Sequence, residues 1–129
     1  MFKILIADDD RAVLRLYKLI LKQLGLENLE FAKSGKEAIE KYKKNHESIK
    51  LTLLDYRMPL INGLEVMYEI LKINRNAIII FASADASVKE IAISSGARAF
   101  LNKPFDIHEL LDIIKNVIDF DLNSVYSIN

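Results

Sequence analysis

The sequence contains no cysteine, only two histidines and no excess of charge, since 18 Lys and Arg residues balance 18 Asp and Glu residues. The absence of cysteine excludes disulfides, thiolate zinc sites and cysteine nucleophiles. Two histidines are too few for a multi-histidine metal cluster. The balanced charge argues against a general binder of polyanions, so we expect no direct contact with nucleic acid, although a local basic patch is compatible with it.

Long apolar runs are also missing. The run at residues 2–7 meets three aspartates and is too short for the core of a signal peptide. No run approaches the roughly 20 residues of a membrane span. We therefore expect a cytoplasmic protein that does not bind membranes. The length of 129 residues fits one domain that buries its own core.

Short apolar runs alternate with helix-period patterns along the chain. The runs predict five strands, at residues 3–7, 29–32, 51–54, 77–82 and 99–102. Several are apolar at consecutive positions, which is typical of strands covered on both faces. Apolar residues spaced by three and four predict a helix after each strand. The pattern therefore predicts an α/β fold, a doubly wound parallel sheet of five strands with five helices.

Helix-end signals agree with this pattern. Ser34 with Glu37 and Asp106 with Glu109 both match a capping box, and Gly25 lies where the first helix should end. No linker, repeat or low-complexity tract divides the chain.

Polar residues follow all five predicted strands, those after the second being explained by the helix cap at Ser34, and ligands of open parallel sheets bind beyond the carboxyl ends of strands. Asp8, Asp9 and Asp10 follow the first strand. A helix cap explains Asp10. A fourth acid, Asp55, follows the apolar third strand. Crowded carboxylates favour a hard divalent cation such as Mg²⁺, which takes one or two carboxylates and keeps positions for water and phosphate oxygens.

Asp55 is the candidate nucleophile of the set. A carboxylate after a central strand is costly unless it is paired, hydrogen-bonded or metal-bound. Carboxylates attack phosphorus to form acyl phosphates, whereas the alternative is a structural cap. Lys103, followed by Pro104, would supply a cation and Ser83 a hydroxyl for a phosphoryl oxygen. Taken singly, Lys103 would be a surface lysine and Ser83 a turn residue.

These residues stand in a series of motifs: Asp8-Asp9, Leu54-Asp55-Tyr56-Arg57-Met58-Pro59, Gly63, Ser83-Ala84, Gly96-Ala97 and Lys103-Pro104-Phe105. The series resembles the response-regulator receiver domain of two-component signalling, in particular stand-alone chemotaxis regulators. The resemblance runs from about residue 2 to 119, so residues 1–119 are expected to form the receiver domain and 120–129 a carboxy-terminal tail without an assigned role. It implies a flavodoxin-like sheet of strand order 2-1-3-4-5.

The resemblance implies roles for the matching residues. Asp55 would be the phosphoacceptor, and Lys103 would contact the phosphoryl group. Mg²⁺, or Mn²⁺ in its place, would be held by Asp8, Asp9, Asp55 and the backbone carbonyl of Arg57.

Switching is implied by the same resemblance. Ser83 would be the hydroxyl switch residue and Phe100 the aromatic one, and the face of the fourth helix, fifth strand and fifth helix would change with them. The Lys103–Pro104 bond is typically cis in the family. The spacing from Ser83 to Gly96 is about two residues shorter than is common there, and Phe100 replaces a frequent tyrosine, so its ring has no hydroxyl to offer a partner.

Two further positions would tune hydrolysis of the acyl phosphate. They are Arg57 and Asp85, and an ion pair between them over the site would restrict the attacking water and slow dephosphorylation. The segment Leu60-Ile61-Asn62 differs from the small or acidic residues usual before Gly63, and we expect this to matter little.

The favoured function is a phosphorylation-operated signalling module, which assists its own phosphorylation and dephosphorylation but is not an enzyme acting on other substrates. Its partners would be a histidine kinase or histidine phosphotransfer protein and a downstream effector protein. It would act alone or in a phosphorelay, as a monomer or a phosphorylation-dependent dimer.

Two alternatives remain. A Mg²⁺-dependent phosphatase of the haloacid-dehalogenase type would use Asp8 as its nucleophile in a D-x-D motif with Asp10, but Ala12 stands where threonine is expected and a cap domain is missing. A phosphorylation-independent binding module would leave the complete set of acids and lysine unexplained.

Overall fold

A computed structural model describes the backbone of residues 2–126 and the side chains of residues 2–118. Its strands are β1 (Lys3–Ala7), β2 (Leu29–Ala32), β3 (Ile49–Asp55), β4 (Ile79–Ser83) and β5 (Ala99–Asn102). Its helices are α1 (Arg11–Gln23), α2 (Gly35–Asn45), α3 (Gly63–Ile73), α4 (Lys89–Ser94) and α5 (Ile107–Tyr126). A 3₁₀ turn at Ala86–Val88 leads directly into the short α4.

The five strands form one parallel sheet of order β2-β1-β3-β4-β5, which confirms the predicted doubly wound fold. One apolar core lies between the sheet and helices α2, α3 and α4, and a second lies between the sheet and helices α1 and α5. The strand order reverses between β1 and β3, and open α/β sheets bind their ligands at such a point.

Strand bounds differ from the prediction at two places. Strand β3 begins at Ile49 rather than at residue 51, because the exposed Lys50 interrupts its apolar run. Strand β4 begins at Ile79 rather than at residue 77. Asn74 holds the preceding residues in a turn, in which its side-chain oxygen accepts from the Asn76 amide at 3.0 Å and its carbonyl accepts from the Ala77 amide at 3.0 Å.

The predicted cap and stop of α1 are confirmed. The Asp10 carboxylate accepts from the Ala12 amide at 2.9 Å. Gly25 has a φ of +74°. Its amide donates to the Lys22 carbonyl at 2.9 Å, and the Leu26 amide donates to the Leu21 carbonyl at 3.0 Å. This pair of bonds closes the last turn in a Schellman motif, which needs the left-handed conformation that glycine adopts freely.

The two predicted capping boxes have different outcomes. The Ser34 hydroxyl accepts from the Glu37 amide at 3.1 Å and begins α2 as expected. The Asp106 carboxylate instead accepts from the His108 amide, two residues ahead, at 2.7 Å. The predicted capping box would require a bond to the Glu109 amide, three residues ahead. Helix α5 then continues to Tyr126, within the segment 120–129 that the sequence sets apart as a tail, and residues 127–129 lie outside the described residues.

No helix in the described part of the chain is long and apolar enough to cross a membrane.

Strand β2 lies at one edge of the sheet, and Lys41 of α2 covers its outer side. The Lys41 ammonium donates to the Phe31 carbonyl of β2. The same ammonium lies 3.1 Å from Glu37 and 3.9 Å from Glu30, and Glu30 also lies 3.7 Å from Lys3. These contacts fix α2 against the edge strand.

Thr52, in the middle of β3, carries the one buried side-chain polar atom without a hydrogen-bond partner among the described side chains. Its side chain is 1% exposed, and its strand neighbours in register are Leu5 and Ile79. A hydroxyl that leaves water on folding and gains no hydrogen-bond partner lowers the free energy of unfolding by about 1–3 kcal/mol.

We expect Thr52→Val to raise the free energy of unfolding by about 1 kcal/mol, because it replaces an unpaired hydroxyl by a methyl group of similar shape. Urea unfolding of both proteins measures the change. The control Thr52→Ser keeps the hydroxyl, loses the methyl group and should be less stable than wild type. A Thr52→Val variant that is less stable than wild type would contradict the account.

Candidate functional site

The acids that the sequence singles out meet at the carboxyl edge of the sheet, between β1 and β3. Asp8 and Asp9 follow β1 directly and Asp55 ends β3. The register pairs Ala7 with Leu54, so Asp8 and Asp55 come next along adjacent strands. One ligand oxygen from each of the three acids lies within 4.8 Å of the others. The fold therefore brings three acids, from the ends of two different strands, to one point of the sheet edge.

Lys103, from the end of β5, lies between two of these acids. Its ammonium donates to the Asp8 carboxylate at 2.6 Å and to the Asp55 carboxylate at 2.8 Å. Asp8 and Asp55 are buried, with 1% and 7% exposure. Both bonds therefore join charged groups at a place with little water, where such bonds are strong.

The burial and charge of the site shift the proton affinities of its groups. Burial raises the pKa of Asp55 above its ordinary value; the hydrogen bond from Lys103 opposes this rise, and the charge of Asp8 adds to it. Burial alone would lower the pKa of Lys103, but its hydrogen bonds to Asp55 and Asp8 outweigh burial and raise it. The two pKa values therefore rise for different reasons: burial dominates at Asp55, whereas the bonds to the two acids dominate at Lys103.

The donor set fits a hard divalent cation. Asp8, Asp9 and Asp55 together carry more negative charge than Lys103 balances. Their oxygens are close enough to share one ion, and Asp9 is exposed, so the cluster is open to water. Carboxylate oxygens with room for water are the environment that Mg²⁺ takes in proteins. The Arg57 carbonyl, the other expected ligand, accepts no bond from a backbone amide among the described residues.

The third acid of the run has a separate role. Asp10 caps α1, and its own amide donates to the Asp8 carboxylate at 2.9 Å. The three consecutive acids therefore have three different roles. Asp8 pairs with Lys103, Asp9 is an exposed candidate metal ligand and Asp10 caps α1.

Ser83 and Lys103 are joined through the backbone. The Lys103 amide donates to the Ser83 carbonyl at 2.9 Å, and the Lys103–Pro104 bond is cis, as the resemblance implies. The buried Ser83 hydroxyl accepts from the Asp85 amide at 2.9 Å, which leaves its own proton for an incoming acceptor. Phe105, which follows Pro104, stacks on Tyr17 of α1 with ring centroids 5.4 Å apart.

Phe100, the expected aromatic switch residue, is packed inward at 9% exposure. Its ring stacks on Phe81 of β4 at 6.3 Å between centroids, and Phe81 contacts Tyr56 in turn at 6.1 Å. This row of rings leads from β5 to the residue that follows Asp55.

The expected ion pair between Arg57 and Asp85 is absent among the described residues, since no pair of their charged atoms lies within 4.0 Å. Asp85 accepts instead from the Ser87 hydroxyl at 2.6 Å and the Ser87 amide at 3.0 Å, and so caps the 3₁₀ turn. Hydrogen bonds from Ser87 lower the pKa of Asp85, with a smaller contribution from the charge of Arg57. The local donors of Ser87 hold the carboxylate more closely than Arg57 does.

Gly63 allows α3 to begin against the end of β3. A Cβ atom there would lie 2.3 Å from the Asp55 carbonyl oxygen and 2.9 Å from the Tyr56 Cα. The Gly63 amide donates to the Tyr56 carbonyl at 2.8 Å. A larger residue would have to push the Asp55 backbone out of position.

Three residues near the site escaped the sequence reasoning. Asn62 caps α3 by accepting from the Glu65 amide at 3.0 Å, and the Asn-x-x-Glu pattern was the available signal. Tyr17 lies near the acids: burial raises the pKa of its hydroxyl, and the charges of Asp8 and Asp55 raise it further. Its helical spacing indicated only a core position. Leu60 adopts a left-handed φ of 70° and is fully exposed, which no pattern signals.

Comparison with known proteins agrees with this geometry. The family model of the response regulator receiver domain matches residues 4–115. The chain belongs to this family. A chemotaxis protein CheY of Thermotoga maritima is 37% identical over 89% of this chain and 96% of its own length. A CpxR homolog of Haemophilus influenzae, a transcriptional regulatory protein, is 34% identical over 92% of this chain but only 51% of its own length.

Solved structures of receiver proteins share the fold. A chain in the crystal structure of the CheX-CheY-BeF₃-Mg²⁺ complex from Borrelia burgdorferi has a TM-score of 0.86 at 28% identity, covering 91% of this chain and 89% of that one. The response regulator TrrA of Thermotoga maritima, in complex with Mg²⁺ and BeF, has a TM-score of 0.82 at 33% identity, covering 91% and 99%. The recognition of a receiver domain from the sequence is confirmed.

We expect Leu60→Asn to raise the free energy of unfolding by about 1 kcal/mol, because a leucine in the left-handed region is strained and asparagine tolerates that region. Leu60 is fully exposed, so the substitution removes no buried area. Urea unfolding measures the change. In the matched control Leu60→Ala the β-carbon and the strain remain, and stability should stay near that of wild type. If the free energy of unfolding rose equally in both variants, the exposed apolar side chain of Leu60, and not backbone strain, would be what destabilises the wild type.

Proposed function

We propose that this receiver domain accepts a phosphoryl group on Asp55 from a histidine kinase or a histidine phosphotransfer protein. The observation that supports this proposal most directly is the contact of the Lys103 ammonium with the buried carboxylates of Asp8 and Asp55. The Asp9 carboxylate lies close enough to share one metal ion with these two acids. This is a nucleophilic carboxylate with a cation beside it and a donor set for a second cation. Phosphoryl transfer needs such positioning and charge neutralisation more than covalent assistance.

In the proposed reaction an Asp55 carboxylate oxygen attacks the phosphorus of a phosphohistidine. The new O–P bond forms as the P–N bond breaks, and the imidazole leaves with the electron pair and takes up a proton. Asp8, Asp9, Asp55 and the Arg57 carbonyl would hold Mg²⁺ or Mn²⁺, and the bound ion would supply positive charge to the phosphoryl oxygens. Lys103 exchanges its bond to Asp55 for a phosphoryl oxygen, and the Ser83 hydroxyl donates its free proton to another.

The output would follow from this exchange of partners. Movement of Ser83 toward the phosphoryl group would act on the 3₁₀ turn through the Asp85 amide, since that amide is held by the Ser83 hydroxyl. Phe100 of β5 stacks on Phe81 of β4, the strand that ends at Ser83. The face formed by α4, β5 and α5 would therefore change its packing, and with it its affinity for an effector protein. The ring would act through packing alone, because phenylalanine has no hydroxyl.

The proposal also covers the setting of this chemistry. We place the domain in the cytoplasm, as a signalling phosphoacceptor that assists its own phosphorylation and dephosphorylation rather than an enzyme with an external substrate. It would bind proteins and not nucleic acid or membrane, as a monomer or as a dimer that forms on phosphorylation. Residues 1–119 would carry the whole of this function.

Incubation with Mg²⁺ and a small acyl-phosphate donor tests the acceptor. Intact-mass spectrometry should show the added mass of one phosphoryl group on wild type and none on Asp55→Asn. Asp10→Asn is the matched control, because it changes an acid of the same run that only caps α1, and it should label. Labelling that persists in Asp55→Asn would overturn the assignment, and labelling of Asp8 would favour the phosphatase alternative.

The same labelled protein tests the proposed tuning of hydrolysis. Asp85 is held by Ser87, so we expect Arg57 to act on the attacking water without a direct partner in Asp85. The decay of the label should be faster in Arg57→Ala than in wild type. Equal decay rates would remove Arg57 from the mechanism.

We expect Lys103→Met to fold but to lose about 3 kcal/mol of unfolding free energy without Mg²⁺, because two buried carboxylates lose their shared cation. Added Mg²⁺ should raise the melting temperature of the variant more than that of wild type, since the ion restores positive charge. Thermal unfolding with and without Mg²⁺ measures both effects.

The control Lys72→Met removes an exposed lysine that lies 3.6 Å from Glu69 and should change stability by less than about 0.5 kcal/mol. Unchanged stability of Lys103→Met would contradict the coupling between Lys103 and the acids. An equal Mg²⁺ effect in variant and wild type would contradict the proposed metal site.

A further inference from the structure

A groove between α1 and β2 has a basic rim and an apolar floor. It is lined by Arg11, Leu14, Arg15, Lys18, Phe31 and Lys33. We refer to it as the α1–β2 groove. Four of these six residues are cations and none is an acid, in a chain whose charges balance overall. The groove is therefore a local concentration of positive charge.

Three of the four cations lie on one stripe of a single helix, α1. Arg11, Arg15 and Lys18 follow one another at spacings of four and three, which places them on the same face of α1. From Arg11 to Lys18 the helix rises by roughly 10 Å, or two turns. Lys33, after the end of β2, closes the groove on the other side. All four cations are exposed.

No acid of the described residues lies within ion-pairing distance of these four cations. Glu30 of β2 and Glu37 of α2, which are close in sequence to the groove, both contact Lys41 instead. The first turn of α1 contains no acid, so Arg11 opposes the helix dipole there. The Asp10 cap offsets the dipole at this end, but none of the four cations forms an ion pair within the described residues.

The floor of the groove is apolar and sits on the core. Leu14 is 7% exposed and Phe31 is half-buried against the cluster under α1. An apolar floor below a basic rim fits one apolar side chain flanked by carboxylates. That is the pattern of an amphipathic helix whose apolar stripe is bordered by Asp and Glu.

We infer that the α1–β2 groove binds an acidic amphipathic helix of a partner protein. Three cations over two turns of α1 match carboxylates spaced by three and four on such a helix, Lys33 adds a fourth cation across the groove, and the floor takes the central apolar residue of the helix. The contact needs no phosphoryl group, so it adds to the phosphoacceptor function and does not depend on it.

A protein helix fits better than a nucleic acid or a membrane. Proteins that bind duplex DNA through its charge neutralise many phosphates along the backbone, and the four cations here make a small set for that purpose. The groove is concave, whereas a bilayer surface is broad and flat. The exposed acids Asp9 and Asp10 lie just before Arg11 and would repel an extended anionic surface.

The test uses a synthetic helical peptide of four turns with a leucine stripe flanked by glutamates. A control peptide has the same composition with its leucines and glutamates on opposite faces. Titration of the isotope-labelled full chain, followed by amide NMR and calorimetry, should shift residues 11–18 and 31–33 most. The affinity should fall as salt is added, because the contact is between charges.

Charge reversal at the rim provides the decisive variant. Arg15→Glu with Lys18→Glu should weaken peptide binding by at least about tenfold. The matched control, Lys50→Glu with Lys89→Glu, makes the same change of charge at exposed lysines outside the groove and should stay within about twofold of wild type. If the reversed variant does not fold, Arg15→Gln with Lys18→Gln replaces it and should still weaken binding.

Several outcomes would overturn the inference. They are equal binding by the two charge-reversed variants, equal binding of the control peptide, and shifts centred outside the groove. Tighter binding of duplex DNA or of anionic lipid vesicles than of the peptide, at the same residues, would replace the proposed partner by that class. Labelling of Asp55 in the rim variant should remain as in wild type, so failure of this inference is distinct from failure of the phosphoacceptor proposal.

Discussion

The ammonium group of Lys103 bonds to two buried carboxylates, and the arrangement of the whole carboxyl edge of the sheet depends on this contact. Asp8 comes from β1, Asp55 from β3 and Lys103 from β5, so one side chain ties together the ends of three strands. Without a cation between them, two buried like charges would repel each other strongly. The lysine offsets the repulsion within this pair, and Asp9 adds a further negative charge to a cluster whose oxygens fit a second cation.

The backbone around this contact is built to hold its geometry. The Lys103 amide is bonded to the carbonyl of Ser83, so the ends of β4 and β5 are fixed to each other. On the other side, the absence of a side chain at Gly63 lets α3 start in contact with the Asp55 carbonyl. The carboxylate, the lysine and the serine hydroxyl are thereby placed by rigid elements, although each lies at the end of a strand, next to a loop.

Most of the fold and the acids of the site could be predicted because strong local patterns set them. Apolar runs mark strands buried on both faces, and the ends of parallel strands must meet at one edge. The predictions fail where the outcome depends on which residues are close in space rather than on a local pattern. Asp85 is captured by the near donors of Ser87 rather than by Arg57. The left-handed Leu60 belongs to the connection between β3 and α3, whose close approach at Gly63 is tertiary, and no propensity of leucine predicts it.

The cover of β2 by Lys41 bears on how copies of this chain would associate. An edge strand with open carbonyl groups invites a strand of another molecule to extend the sheet. Here the Lys41 ammonium occupies the Phe31 carbonyl, and Glu30 and Glu37 hold that ammonium in place. A strand added at β2 would have to break these contacts and bury a charge. Continuous sheets across two molecules are therefore disfavoured at this edge, which leaves the helical faces and the β5 side for self-association.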